Sequence, residues 1–431
     1  MKKCIVIGGG FAGLSSAVYL SKQNIKVKLI EASPKLGGRA YSLTNNQFND
    51  VYDNGQHILM GCYTNTLDFL NIIGADHLLD VQDSLNICFV KKSGEIFKLN
   101  APRRFYPLNL LWAMLNYKAI PLKARLKIID FFLDLMCCVP EDIQNFTVTE
   151  WLKMKKQDED TIKSFWEILV VGALNTSPEK AAAAVFVDIL QEIFLNGSSN
   201  ASIILPKVGL SELFTKPSAQ YIEDKSGQIS CSEKLIRFEL ANNRVVKVIT
   251  NKSVYEDFDY VISAIPSNSL ERILDDQSIS SMIPSFNYST ILNVHLWLKE
   301  NPFTEKFYGL IDSKIHWVFN HRQHISITIS NADSYNDMDN TKILKEIYSD
   351  LEIFFPIFKS NFIADSMILK ERHATFIPDI KSSYERKKIN FNFENLFVAG
   401  DWTNTELPST IESAVLSGKI SAQSVINKIS R

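Results

Sequence analysis

No run in this chain approaches the roughly 18 consecutive apolar residues that crossing a bilayer takes, so no helical membrane span is expected. The six cysteines, Cys4, Cys62, Cys88, Cys137, Cys138 and Cys231, include no CxxC pair and no framework spacing. That excludes a disulfide-stapled secreted scaffold and fits reduced thiols in a cytoplasmic protein. An excess of one charge is missing too: 46 Lys and Arg against 48 Asp and Glu leave a net charge of −2, which argues against nucleic acid as a partner. No secretory leader is expected, since the apolar start at 5–7 breaks at once into glycines. His316, His321 and His324 cluster in sequence without the carboxylate or cysteine spacing of a metal site, and no metal is expected there. Internal repeats, low-complexity linkers and Ser-His-Asp or catalytic-cysteine arrangements are absent as well. What remains is a 431-residue chain, long enough for two domains.

Glycine is scarce, with 17 in all, and its placement is informative. A short β-type run, Cys4-Ile5-Val6-Ile7, breaks into Gly8-Gly9-Gly10-Phe11-Ala12-Gly13, and a helix is predicted over 14–20. A second apolar run, 27–30, ends on Glu31. This is a βαβ dinucleotide fingerprint in its proper context. Gly8 allows the tight turn, Gly10 lets the backbone approach a pyrophosphate, and Gly13 lets the helix pack closely on the strand. The helix N-terminus offers unpaired N–H groups to phosphate, and Glu31 stands where a carboxylate accepts from ribose hydroxyls. Gly37-Gly38-Arg39 follows, permitting another close backbone approach and adding a fixed fork of donors. After Gly13 no second G-x-G-x-x-G occurs, so a separate nicotinamide domain is not expected.

Near the other end, Asn395-Leu396-Phe397-Val398-Ala399 reads as a strand closing on Gly400-Asp401-Trp402. Pro408 and Ser409, with Glu412 three residues after the serine, predict a helix start with a capping box. Such a start aims N–H groups at an electron-rich carbonyl, which suits a flavin ring.

Together these ends resemble the amine oxidase and phytoene desaturase superfamily of FAD enzymes. Asp53-Asn54-Gly55-Gln56-His57-Ile58, Leu205-Pro206-Lys207-Val208-Gly209-Leu210, His316-Trp317-Val318-Phe319 and Leu407-Pro408-Ser409-Thr410-Ile411-Glu412 resemble, more narrowly, its hydroxysqualene dehydroxylase group. The resemblance implies FAD, with Gly8, Gly10, Phe11, Ala12, Gly13, Glu31, Ala32, Gly38, Arg39, Gly55, Gln56 and His57 on the N-terminal side of its site. It places Leu235 by the adenine, Gly400 and Asp401 by the ribityl or pyrophosphate, and Thr410 and Ile411 by the flavin N1 and C2 carbonyl. It further implies a long apolar isoprenoid substrate and reductive removal of the hydroxyl of hydroxysqualene to give squalene, on the route to hopanoids or related triterpenes. A separate redox partner would close the cycle. A carotenoid-type desaturase, an amine oxidase and a non-catalytic lipid-binding flavoprotein use the same FAD fold and stay open as alternatives.

The expected architecture is α/β: a Rossmann-like FAD domain with a mixed helical and β substrate domain inserted twice. The FAD domain is assigned to 1–63, 207–277 and 388–431, and the substrate domain to 64–206 and 278–387. Strands are expected at 291–298 and a helix near 341–355. His57 follows the GGR segment and is the candidate proton donor, against the plainer alternative of a satisfied structural histidine. In the helical insertion, Arg103, Arg104, Lys118, Lys123, Arg125 and Lys127 alternate with apolar residues around Trp112. Such helices can pack a domain core or lie on a membrane surface, and the two roles are compatible.

Overall fold

The computed structural model describes residues 1–274, 283–389, 391 and 393–431, so the expected 277/278 boundary lies outside the described residues. The strand Lys3–Ile7 is buried along almost its whole length, as a central parallel strand covered on both faces must be. It lies between Lys26–Ile30 and Tyr260–Ser263 in a five-stranded sheet completed by Gln228–Ser230 and Leu396–Val398. Every pairing in that sheet is parallel. Helices Phe11–Lys22 and Ile411–Ile429 share one apolar core with this sheet, through Leu14, Val18, Val415 and Val425. The fold is α/β and Rossmann-like.

The two helices approach closely because small residues face each other. The Ser15 hydroxyl donates to the Val415 carbonyl at 2.7 Å and the Ser16 hydroxyl to the Gly418 carbonyl at 3.2 Å. A Cβ at Gly418 would lie 2.3 Å from the Ala12 carbonyl oxygen, so only glycine fits at the crossing.

A second sheet of seven strands runs in the order Ile363–Phe376, Tyr288–Leu298, His324–Ile329, Trp317–Asn320, Phe307–Leu310, Leu85–Val90, Ile96–Ala101. Leu292, Val294 and Leu296 on one face of Tyr288–Leu298 pack against Ile343, Ile347 and Leu351 of the helix Asn340–Phe354. Period-2 alternation therefore sends Asn293, His295 and Trp297 to the opposite face, where all three are buried. Helices between 108 and 194 build a further core around Phe131, Trp151, Trp166 and Phe186.

One expectation is corrected. The last helix is capped by Thr410, whose side chain accepts from the Ser413 N–H, and not by a Ser409–Glu412 box. Ser409 instead donates to Asp401. Glu412 turns to the start of the helix Thr64–Ile72, accepting from the N–H groups of Asn65 at 3.0 Å and Thr66 at 2.8 Å and from both side chains. Two unsatisfied donors and a helix dipole outcompete a local cap. Glu412→Ala strands those donors in a buried position, and urea unfolding should show a loss of about 2–4 kcal/mol, in the range for buried charge-assisted bonds.

Candidate functional site

The glycine turns, the start of the first helix and the 400–411 segment all face one cavity of about 2120 Å³. Local sterics shape its near end. Gly8 holds a φ of +106°, and a Cβ on Gly13 would sit 1.8 Å from the Gly8 carbonyl oxygen. Gly10 is different, because a Cβ there would meet no protein atom nearer than 3.8 Å. Packing does not demand glycine at position 10; access from the cavity does. The helix Phe11–Lys22 opens there without a side-chain cap, which leaves its first-turn N–H groups to a ligand. Glu31 accepts from the Gly9 N–H at 2.5 Å and the Ser33 N–H at 2.6 Å, one bond to each oxygen. Each oxygen keeps a lone pair for a hydroxyl donor.

Across the cradle, the Arg39 guanidinium meets the Asp401 carboxylate at 2.5 Å and donates to the Ala374 carbonyl at 3.0 Å. Burial pushes the Asp401 pKa up, but Arg39, the Ser409 hydroxyl and Arg386 outweigh it and hold the carboxyl below its ordinary value. Arg386 is 4% exposed and donates to the carbonyls of Asp401, Thr403 and Leu407 and to the Thr405 hydroxyl. Its single guanidinium thus fixes the loop that leads into the last helix. Asn54 ties the two N-terminal turns together, donating to the Arg39 carbonyl at 2.8 Å and accepting from the Tyr41 N–H at 3.0 Å.

Of the site residues expected from sequence, Gly8, Gly10, Phe11, Ala12, Glu31, Ala32, Gly38, Arg39, Gly55, Gln56, His57, Leu235, Gly400, Asp401, Thr410 and Ile411 line this cavity. Gly13 does not; it packs against the fingerprint turn. His57 is half-buried and faces the cavity, and desolvation alone pulls its pKa down to about 4. Of the histidines at 316–324, His321 and His324 stack at 4.5 Å between ring centroids and His324 pairs with Asp50 at 2.6 Å, while His316 stands apart and accepts from the Ser330 N–H at 3.1 Å. Among the described residues no group of three His, Cys, Asp or Glu could hold a metal. Arg386, Asn54, Asn293 and Glu371 are wall or cradle residues that sequence reasoning missed, since their partners lie far along the chain or on unmarked loops.

Residues 11–426 match the family described as flavin-containing amine oxidoreductase. The chain belongs to that family. It is an FAD-dependent oxidoreductase. A hydroxysqualene dehydroxylase of Zymomonas mobilis is 25% identical over 423 residues, covering 97% of each chain. A 15-cis-phytoene desaturase of Narcissus pseudonarcissus is 24% identical over 458 residues, covering 98% of this chain and 79% of its own. Among solved structures, a putrescine oxidase variant superposes with a TM-score of 0.75 over 99% of both chains at 15% identity, which speaks for the fold alone.

The cradle fits FAD on its own terms. Uncapped N–H groups and a glycine without a packing role suit a pyrophosphate, and Glu31 suits a ribose. Gly10→Val should fold, because a Cβ there comes no closer than 3.8 Å to any protein atom, yet purify largely without flavin. The ratio of flavin to protein absorbance, beside a wild-type far-UV circular dichroism spectrum, checks this.

Proposed function

We propose that the chain is a hydroxysqualene dehydroxylase, replacing the hydroxyl of hydroxysqualene by hydrogen to give squalene. The observation that carries this reading is the far arm of the cavity, lined by Leu110, Leu111, Met114, Phe132, Leu133 and Phe165. At about 2120 Å³ the whole chamber is more than twice the upper end, about 1,000 Å³, of ordinary small-molecule pockets. It has room for a dinucleotide and a long apolar chain together. The full-length relatives named for that activity support the same reading. In this proposal 1–63, 207–277 and 388–431 hold FAD, and 64–206 and 278–387 hold the lipid.

FAD, when bound and reduced, supplies a hydride. The chain must hold the allylic carbon against it, keep water from the cation left by C–O ionisation, and protonate the departing oxygen. Gly55, Gln56 and His57 line the same cavity as the cradle and the apolar side chains, and we assign the proton donation to His57. A ring whose pKa is about 4 is neutral at pH 7, and its protonated fraction grows about tenfold for each unit the pH falls toward 4. Anaerobic mixing of reduced holoenzyme with hydroxysqualene should give squalene with flavin reoxidation, faster as pH falls from 7 toward 5. His57→Ala should keep its FAD and lose roughly 10²–10⁴-fold in rate together with the pH slope. An unchanged rate would pass the role to another cavity acid such as Asp188, pushed up to about 6 by burial, Glu141 and Glu406. Phytoene turnover by oxidised enzyme, with none of hydroxysqualene by the reduced form, would favour the desaturase reading that the phytoene desaturase relatives support.

We also propose that the mouth of the apolar arm rests on a lipid surface. The helices Leu108–Asn116 and Leu122–Leu135 bury Ala113, Met114, Ile128 and Phe131 but expose Leu108, Leu111, Trp112, Leu126 and Leu133. Leu108, Leu111 and Leu133 also line the cavity, so the exposed patch is continuous with the arm. Arg103, Arg104, Lys118 and Lys123 are exposed around it, the arrangement of an interfacial helix on anionic headgroups. Vesicles containing phosphatidylglycerol should co-float with the protein, and Trp112→Glu with Leu108→Glu should abolish the flotation while sparing FAD content. Equal flotation of the double variant would place any lipid contact elsewhere.

A further inference from the structure

The cavity-facing side of the strand Tyr288–Leu298 carries a buried polar ladder that the cofactor cradle does not use. Across the pairing with His324–Ile329, Asn293 sits opposite Thr328, His295 opposite Ser326, and Trp297 opposite His324. All are buried, His295 to 1% exposure. Each rung is closed by hydrogen bonds: the Thr328 hydroxyl donates to the side-chain Oδ1 of Asn293 at 3.0 Å, and His295 Nδ1 lies 2.9 Å from the Ser326 hydroxyl. At the outer rung, His324 Nδ1 lies 2.6 Å from an Asp50 oxygen that also accepts from the Trp297 indole at 3.0 Å. The Asp50 side chain is 19% exposed and so touches solvent. At the inner rung, Asn293 and Thr328 line the cavity, and the Asn293 amide abuts Gly55, two residues from His57.

A buried polar row is costly unless every group is satisfied, and one group here is not. His295 Nε2 makes no well-formed hydrogen bond among the described residues, with only the Asp53 backbone beside the ring, which is enclosed and edge-to-face with His324 at 5.7 Å between centroids. We propose that this ladder carries protons between solvent at Asp50 and the cavity wall at Thr328, with His295 as the relay. An imidazole takes a proton on one ring nitrogen and releases one from the other, and a hydroxyl does the same at a single oxygen. In the proposal, one bridging water completes the step between His324 and His295 and another the step between Ser326 and Thr328. Burial, then His324 and His321, pull the His295 pKa down to about 3, against the Asp53 carbonyl beside the ring, so it passes charge without storing it.

The proposal rests on the function above only in requiring a proton at the flavin site. Dehydroxylation consumes one: alcohol, proton and hydride from reduced flavin give hydrocarbon and water. Desaturation releases one as hydride passes to oxidised flavin. An apolar arm cannot conduct either.

The test uses holoenzyme without any isoprenoid, because two-electron reduction of bound flavin itself draws a proton from solvent. After flash photoreduction, a pH-indicator dye should report uptake slowed at least tenfold in His295→Gln and His295→Phe, at unchanged FAD content and circular dichroism. Lys345→Ala, on the exposed face of the helix Asn340–Phe354 and outside the ladder, should keep the wild-type rate. Should both His295 variants misfold, Asp50→Asn at the partly exposed end should show the same slowing. Wild-type uptake in a folded His295 variant, or in Asp50→Asn, would overturn the proposal. Lack of squalene formation by wild type would instead sink the substrate reading and leave this measurement intact.

Discussion

The close crossing of the first and last long helices is the constraint on which the site depends. Ser15, Ser16 and Gly418 let two backbones meet that are 400 residues apart in sequence. That contact sets the fingerprint turn beside the 400–411 segment. Only then can Arg39 reach Asp401 across 362 residues and close a cradle from both ends of the chain. A larger side chain at the crossing would pry the helices apart and, with them, the two halves of the cofactor site.

The cavity is divided by chemistry rather than by a wall. Its near end is built from backbone N–H groups, a carboxylate and an ion pair whose carboxylate is buried and whose arginine is exposed, all of which suit a charged dinucleotide. Its far arm is leucine, methionine and aromatic. The border runs past Gly55 and His57, where the Asn293 amide presses on the glycine. In the function proposed above, the reactive atoms of cofactor and substrate meet at this border.

Legibility in the sequence follows the range of the forces involved. The fingerprint, the GGR turn and the closing Gly400-Asp401 were readable because each is a local backbone requirement that leaves a local pattern. The capping box at Ser409 was misread because that pattern is also local, while the partners that won, Asp401 for Ser409 and the Thr64–Ile72 helix for Glu412, are not. Arg386 looked like any basic residue on a polar helix, and nothing nearby marks its four acceptors between 401 and 407. The histidines at 316–324 drew attention as neighbours in sequence. His321 and His324 do stack, but His316 turns to Ser330, and His324 also pairs with Asp50, 274 residues away.

The undivided chamber bears on how this protein comes to exist. An interior void of this size, lined in its far arm by apolar side chains, forfeits the packing that stabilises an ordinary core. A ligand that binds only the folded chain restores that deficit by mass action. A flavin held only by the folded chain therefore adds to its folding stability as well as supplying its chemistry.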